Sequence, residues 1–169
     1  MRFRLRTLLI GLALAAGVGG AGRVWYDVLV APSRQDAAVL ASEDFRGVAV
    51  RWSGDGRGWG NRLRRAQHLW LDEAEAFDAA AGRVGELTAL ESVQVLWRQA
   101  SPHVERADRG EPDKVIAAWR RHPTLRQVLV DASVRGAPLG DRVELPTGDD
   151  LEMLKRALPE VEIVWMEVH

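Results

Sequence analysis

The residues with the greatest chemical potential in this chain of 169 are few and scattered. The stretch "SGDGRGWGN", residues 53–61, concentrates glycine as a phosphate-cradling loop does. Its glycines alternate at positions 54, 56, 58 and 60. A dinucleotide fingerprint needs G-x-G-x-x-G with an acid about 20 residues further on, and a P-loop needs a Lys-Ser/Thr pair. The stretch is therefore expected to be a loop between strands. His68, His103, His122 and His169 are too dispersed for a helical metal motif, and "HVERAD" is not H-E-x-x-H. His122 abuts a helix end, where a cation is favourable and a structural role is sufficient. The absence of cysteine excludes disulfides, thiolate nucleophiles and Cys-based metal centres. No G-x-S-x-G or S-x-x-K supports a serine nucleophile. These residues imply no cofactor, no metal and no small-molecule ligand. One enzymatic arrangement stays open, with Asp72, Asp131 and Arg98 gathered at the carboxyl ends of parallel strands.

A contact surface is better supported. Alternate residues of a strand face opposite sides. If the apolar pairs of each strand face a core, the residues between them form an outward row: Ala49, Trp70, Gln94, Leu129 and Trp165. Trp70, Leu129 and Trp165 would make an apolar strip, with His68, Gln94 and Asp131 adding polar specificity. Exposed apolar patches mark contacts, and Trp is enriched where binding energy concentrates. The competing expectation is that parallel sheets are covered on both faces, here by residues 24–45 or by the long loops.

That row depends on a spacing that recurs. Leu125-x-x-Val128-x-Val130 reappears as Leu90-x-x-Val93-x-Val95, Val161-x-x-Val164-x-Met166 and Ala66-x-x-Leu69-x-Leu71, with Phe45-x-x-Val48-x-Val50 as a weaker copy. "LTAL", "HPTL" and "LPEV" each end a helical stretch just before a strand. Glu73 to Glu86 is expected to be a helix with Phe77, Ala80, Ala81 and Val84 on one face. "PDKVIAAWRR" aligns Val115, Ile116 and Trp119 along one stripe. "DDLEMLKRAL" places acids at its start, suited to capping, and basic residues near its end. "RQASPHVERADRGEP" and "VRGAPLGDRVELPTG" read as loops. Strands joined by helices must run parallel, with right-handed crossovers.

This pattern resembles the leucine-rich repeat family, whose core is L-x-x-L-x-L-x-x-N/C-x-L. The resemblance covers roughly residues 45–168. It implies a short right-handed solenoid of helix–strand units acting in protein interaction. Ala74, Arg98, Ser133 and His169 stand where that family carries Asn or Cys, so its asparagine ladder is missing. The opening "RFRLRTLL" looks like the start of many bacterial membrane-anchored proteins that carry such repeats.

Net charge is −1, and the first 23 residues carry four Arg and no acid, so the rest is net acidic. That is a poor match to the basic stripe of a nucleic-acid binder. Arg2, Arg4 and Arg6 followed by an uncharged stretch from Thr7 to Gly22 form the pattern of an export signal or a membrane anchor, spanning residues 5–23. The Arg-rich end then stays in the cytoplasm and the body lies outside it. The expected organisation is a signal peptide or anchor over 1–23, a juxtamembrane linker over 24–44 and an α/β leucine-rich-repeat-like domain over 45–169. The expected role is a membrane-tethered, extracytoplasmic module for a protein partner. Alternatives are a small exported enzyme, or a repeat remnant without a ligand.

Overall fold

The period-2 apolar pattern produces five strands, and helices fill most of their connections. The computed structural model describes residues 17, 19–53, 64–71, 76–132 and 147–166. Most of the apolar amino-terminal stretch, the glycine-rich loop, Asp72, Ala74, Ser133, Glu167 and His169 lie outside the described residues.

Residues 19–25 are helical and pass without interruption into a π-helical turn, Tyr26–Val30, and then α1, Ala31–Leu40. A 3-10 turn at Glu43–Phe45 leads into β1, Ala49–Trp52, and then β2, Ala66–Trp70. Next come α2, Phe77–Arg83, a 3-10 turn at Val84–Glu86, and β3, Ser92–Leu96. Two helices follow, α3 at Trp97–Asp108 and α4 at Lys114–Arg121, then β4 at Gln127–Asp131. The described chain ends with α5, Gly148–Ala157, and β5, Glu162–Met166.

The fold class is α/β with one five-stranded sheet in the order β1-β2-β3-β4-β5. Three successive pairs, β2–β3, β3–β4 and β4–β5, are parallel. β1 departs from the expected repeat, because it pairs antiparallel with β2. The weak Phe45-x-x-Val48-x-Val50 copy is therefore not a parallel unit: Phe45 lies in the 3-10 turn, and the strand begins only at Ala49.

Leu69, Leu71, Val93, Val95, Val128 and Val130 are all fully buried, as their spacing predicts. They share one apolar core with Phe77, Ala80, Ala81 and Val84, with Val115, Ile116 and Trp119, and with Leu154 and Leu158. Polar clasps join the helices. Trp119 Nε1 donates to Ala81 O at 3.1 Å, linking α4 to α2. Arg120 donates from Nε and Nη2 to Ala157 O at 3.0 and 2.7 Å, meeting a carbonyl left free at the end of α5. α5 starts with a capping box in which Thr147 and Asp150 satisfy each other's backbone N–H groups.

Two segments differ from the sequence expectation. The run from Trp97 to Asp108, most of which reads as loop, is helix α3. Trp97, Ala100, His103 and Val104 form its buried face, and Pro102 sits within it. Residues 31–40, expected to belong to a linker, form a helix that buries Ser33, Asp36 and Val39. Asp36 is fully buried and accepts from Ala66 N at 3.1 Å, Thr88 N at 2.8 Å and Thr88 Oγ1 at 3.0 Å. A carboxylate with three donors is a stable buried group, so α1 is bonded directly to the start of β2 and to the turn ahead of β3.

Candidate functional site: the outer face of the sheet

Residues that point away from the helices form three rows across the sheet. The row nearest the amino ends of the parallel strands holds Arg51, His68, Ser92, Gln127 and Glu162. The middle row holds Ala49, Trp70, Gln94, Leu129 and Val164. The third holds Leu96, Asp131 and Met166.

The middle row brings together three of the expected residues, Trp70, Gln94 and Leu129, each half-buried. It does not include Trp165. In the register of β4 and β5, Leu129 faces Val164, and Trp165 faces Val130. Trp165 therefore belongs to the helix-facing side, where its ring lies 5.4 Å from that of Trp97 in an edge-on arrangement. Ile163 also packs against the core. The repeat spacing places β5 one residue away from this register, and a one-residue shift exchanges every side chain between faces. Val164 takes the place expected for Trp165, and Met166 extends the apolar character beside Asp131.

Glu162 was the signal for this register. As the charged residue of an otherwise apolar strand, it belongs on the wetter face. There Gln127 Nε2 donates to its Oε2 at 3.2 Å. Taking Glu162 as outward makes Ile163 and Trp165 inward.

His68 and Asp131 are both on the outer face and both buried. The His68 ring meets that of Trp70 edge-on, centroids 4.1 Å apart, and its Nδ1 hydrogen-bonds Ser92 Oγ. This contact orients the Trp70 indole, because the two side chains follow each other on the same face of β2. The Ser92–His68 pair does not extend to Asp131. The first and third rows are four residues apart along β4, about 13 Å at strand rise. Of the arrangement considered for an enzyme, Asp72 lies outside the described residues. Arg98 is exposed in the first turn of α3, whereas Asp131 is buried at the end of β4. Among the described residues no group of His, Asp and Glu is placed to hold a metal ion.

Two of the other histidines, His103 and His122, are structural. His103 is buried, with Nδ1 at 2.9 Å from Asp113 Oδ2 and Nε2 at 3.1 Å from Asp78 Oδ1, so it ties α3 to α2 and to the start of α4. Asp113 also accepts from Val115 N and Ile116 N, capping α4. Burial alone would raise the Asp113 carboxyl. The bond from Ile116 N, His103 and the Arg106 charge outweigh it and hold the group below the usual carboxylate range.

His122 has a structural role, as a buried ring between segments and not as a cation at the helix end. It is buried, and burial pushes the imidazole below its ordinary value against the opposing pull of Leu87 O and Asp36. Nε2 lies 3.0 Å from Leu87 O and Nδ1 lies 3.3 Å from Thr124 N. A neutral ring with its proton on Nε2 satisfies both contacts.

No protein-family model matches the chain, and no curated protein is detectably similar to it in sequence. Among the described residues no helix is long and apolar enough to cross a membrane.

Proposed function

We propose that this chain is a membrane-tethered, extracytoplasmic protein-interaction module, built as a short right-handed solenoid of leucine-rich-repeat-like units. The outer face of its sheet is the contact surface. The observation that carries this reading is the agreement between strand order and chain order. Three successive parallel steps in one direction, with helices in the connections, generate a concave or flat face built from one row per strand position. On that face the middle row supplies Trp70, Leu129 and Val164 around a single amide side chain, Gln94. Arg51, buried His68, Gln127 and Glu162 border it on one side; on the other, buried Asp131 lies between the apolar Leu96 and Met166. An apolar patch with a polar margin on one side suits a protein-binding surface. The tether rests on the three Arg followed by the uncharged stretch from Thr7 to Gly22.

The test is capture by crosslinking in intact membranes. The double substitution Trp70→Asp and Leu129→Asp is compared with Lys114→Glu, an exposed change on the helical side. Circular dichroism checks that both variants fold. Loss of crosslinked partner in the first and retention in the second is the expected result. Equal capture by both folded variants would remove the outer face as the contact surface.

A further inference from the structure

The exposed large apolar side chains among the described residues are Val24, Trp25, Tyr26, Val28 and Leu29, and all five lie on one unbroken helical stretch. Trp25 is 53% exposed and Val28 55%, so no described part of the body covers them. The stretch directly follows the uncharged segment Thr7 to Gly22. Arg23 and Arg34 flank it. Arg23 pairs with Asp27 at 3.7 Å, and the Arg34 guanidinium lies 5.8 Å from the centre of the Tyr26 ring. Exposed Trp and Tyr between basic residues match the boundary of a bilayer, where the rings sit among headgroups and the guanidinium groups reach phosphates.

The same stretch is fastened to the folded body. Pro32, at the start of α1, has no N–H to offer Val28 O four residues back, and its ring would crowd that carbonyl. The π-helical turn widens the helix at this point, as π turns do where an α-helix must absorb a misfit. The Arg65 guanidinium, next to β2, donates to Val28 O. Two turns further on, Asp36 receives Ala66 N and Thr88 N, so the helix is held at the amino end of β2 and at the turn ahead of β3. Trp25 and Ala31, on either side of the π turn, both have right-handed helical backbone, so the helix runs through it without a break.

We infer that residues 24–29 seat the domain in the headgroup region of the lipid bilayer, and that the continuous helix with its Arg65 and Asp36 fastenings holds the body in one fixed posture there. The amino ends of the parallel strands lie toward the membrane, and Asp131 and Met166 lie at the far end. This inference rests on the proposed tether and adds a rigid, lipid-contacting junction to it.

The chain contains no cysteine, so single labelling sites need no background removal. The full chain carrying Val28→Cys or Lys114→Cys is spin-labelled. It is then reconstituted into vesicles of phosphatidylcholine with the anionic phosphatidylglycerol. Accessibility to oxygen, which partitions into lipid, is compared with accessibility to a water-soluble nickel chelate. The expected result is an oxygen-to-nickel ratio several-fold higher at position 28 than at position 114. The doubly labelled chain should give one narrow distance distribution, which Arg65→Ala broadens. A label at 28 that is as open to nickel as the one at 114, in protein that still floats with the vesicles, overturns the seat and leaves the tether standing. Spin–spin broadening between labels at 28 on different chains assigns the patch to a second copy instead, and also overturns it. A broad distance distribution in the unmodified background overturns the fixed posture. Failure of the full chain to float with vesicles refutes the tether and the inference together.

Discussion

Trp165 and Val164 are neighbours in sequence that the sheet register assigns to opposite faces, and substituting each in turn gives a sharp test of that register. Trp165 is half-buried on the helical side against Trp97, which is 8% exposed. Truncating a fully buried Trp to Ala costs about 3–5 kcal/mol. Half-burial brings Trp165→Ala to about 2 kcal/mol, part of it the edge-on pair with Trp97, which contributes about 0.5–1.5 kcal/mol. Val164→Thr keeps the shape and adds a hydroxyl on the wetter face, where the cost is about 0.5 kcal/mol or less. If the repeat spacing governed the register instead, Val164 would face the core beside Val128. Its hydroxyl variant would then cost about 1–3 kcal/mol. Trp165→Ala, on the outer face, would then cost far less. Urea unfolding followed by circular dichroism measures both, and the denaturant slope should be unchanged. For a chain of this size, about 2 kcal/mol corresponds to a fall in Tm of about 4–8 °C. A double-mutant cycle between Trp97→Ala and Trp165→Ala should return a coupling of about 1 kcal/mol. Val164→Thr proving more damaging than Trp165→Ala, or a coupling near zero, would refute the assigned register.

Asp36→Ala removes the acceptor of two backbone N–H groups and one hydroxyl, and is expected to cost about 2–4 kcal/mol. Amide hydrogen exchange should accelerate first at Ala66 and Thr88, and unchanged protection there would count against the fastening of α1. Asp113→Ala removes the cap of α4 together with a partner of His103; about 1–3 kcal/mol should be lost in a chemical melt. For pH, the neutral form of His122 is favoured in the fold, so its folded value lies below the ordinary 6.5. Its contribution is complete above about pH 6.5 and declines as pH falls from there toward the folded value, because the unfolded chain binds the proton first. Asp113, also held below its ordinary 3.8, adds a second decline as pH falls below about 4. A urea midpoint that stays flat between pH 7 and pH 5 in the parent, or an equal fall in His122→Gln, would contradict this account of His122.

Much of the core was legible because period and burial coincide in this chain. The apolar pairs of β2, β3 and β4 are buried to completion, and the stripes Val115–Ile116–Trp119 and Phe77–Ala80–Ala81–Val84 face inward as their spacing requires. The remainder failed for identifiable physical reasons. In "EIVWM" the four positions after Glu162 are apolar, so alternation alone does not choose a face. α3 was obscured by Pro102 and by its charged second half, although Trp97, Ala100, His103 and Val104 recur at helical spacing on its buried side. α1 was read as linker because an aspartate interrupts its buried face. That aspartate is satisfied by donors 30 and 52 residues away, a pairing no local pattern reveals. The direction of β1 was misread because its weak apolar copy was counted as one more parallel unit, although the glycine-rich connection to β2 carries no helical pattern and suits a hairpin. Of the candidate contact row, Trp70, Gln94 and Leu129 were found from alternation, and the error was confined to the last strand.

The two margins of the sheet differ in kind. At one margin β1 runs against its neighbour and α1 is bonded across the adjoining strand ends through Asp36. At the other, β5 runs with its neighbour and, among the described residues, pairs only with β4. A reversed strand breaks the helix–strand alternation and does not template another parallel unit beside it, whereas β5 presents the same edge that β4 presents to β5. The molecule therefore has a direction of extension. A unit grafted beyond β5 would meet a compatible ladder and could shelter Ile163 and Trp165. One inserted ahead of β2 would have to break the antiparallel pairing and bury Asp36 without its donors. Parallel helix–strand units in this architecture continue from the β5 side, and a chain redesigned to be longer in that way should keep residues 31–70 untouched.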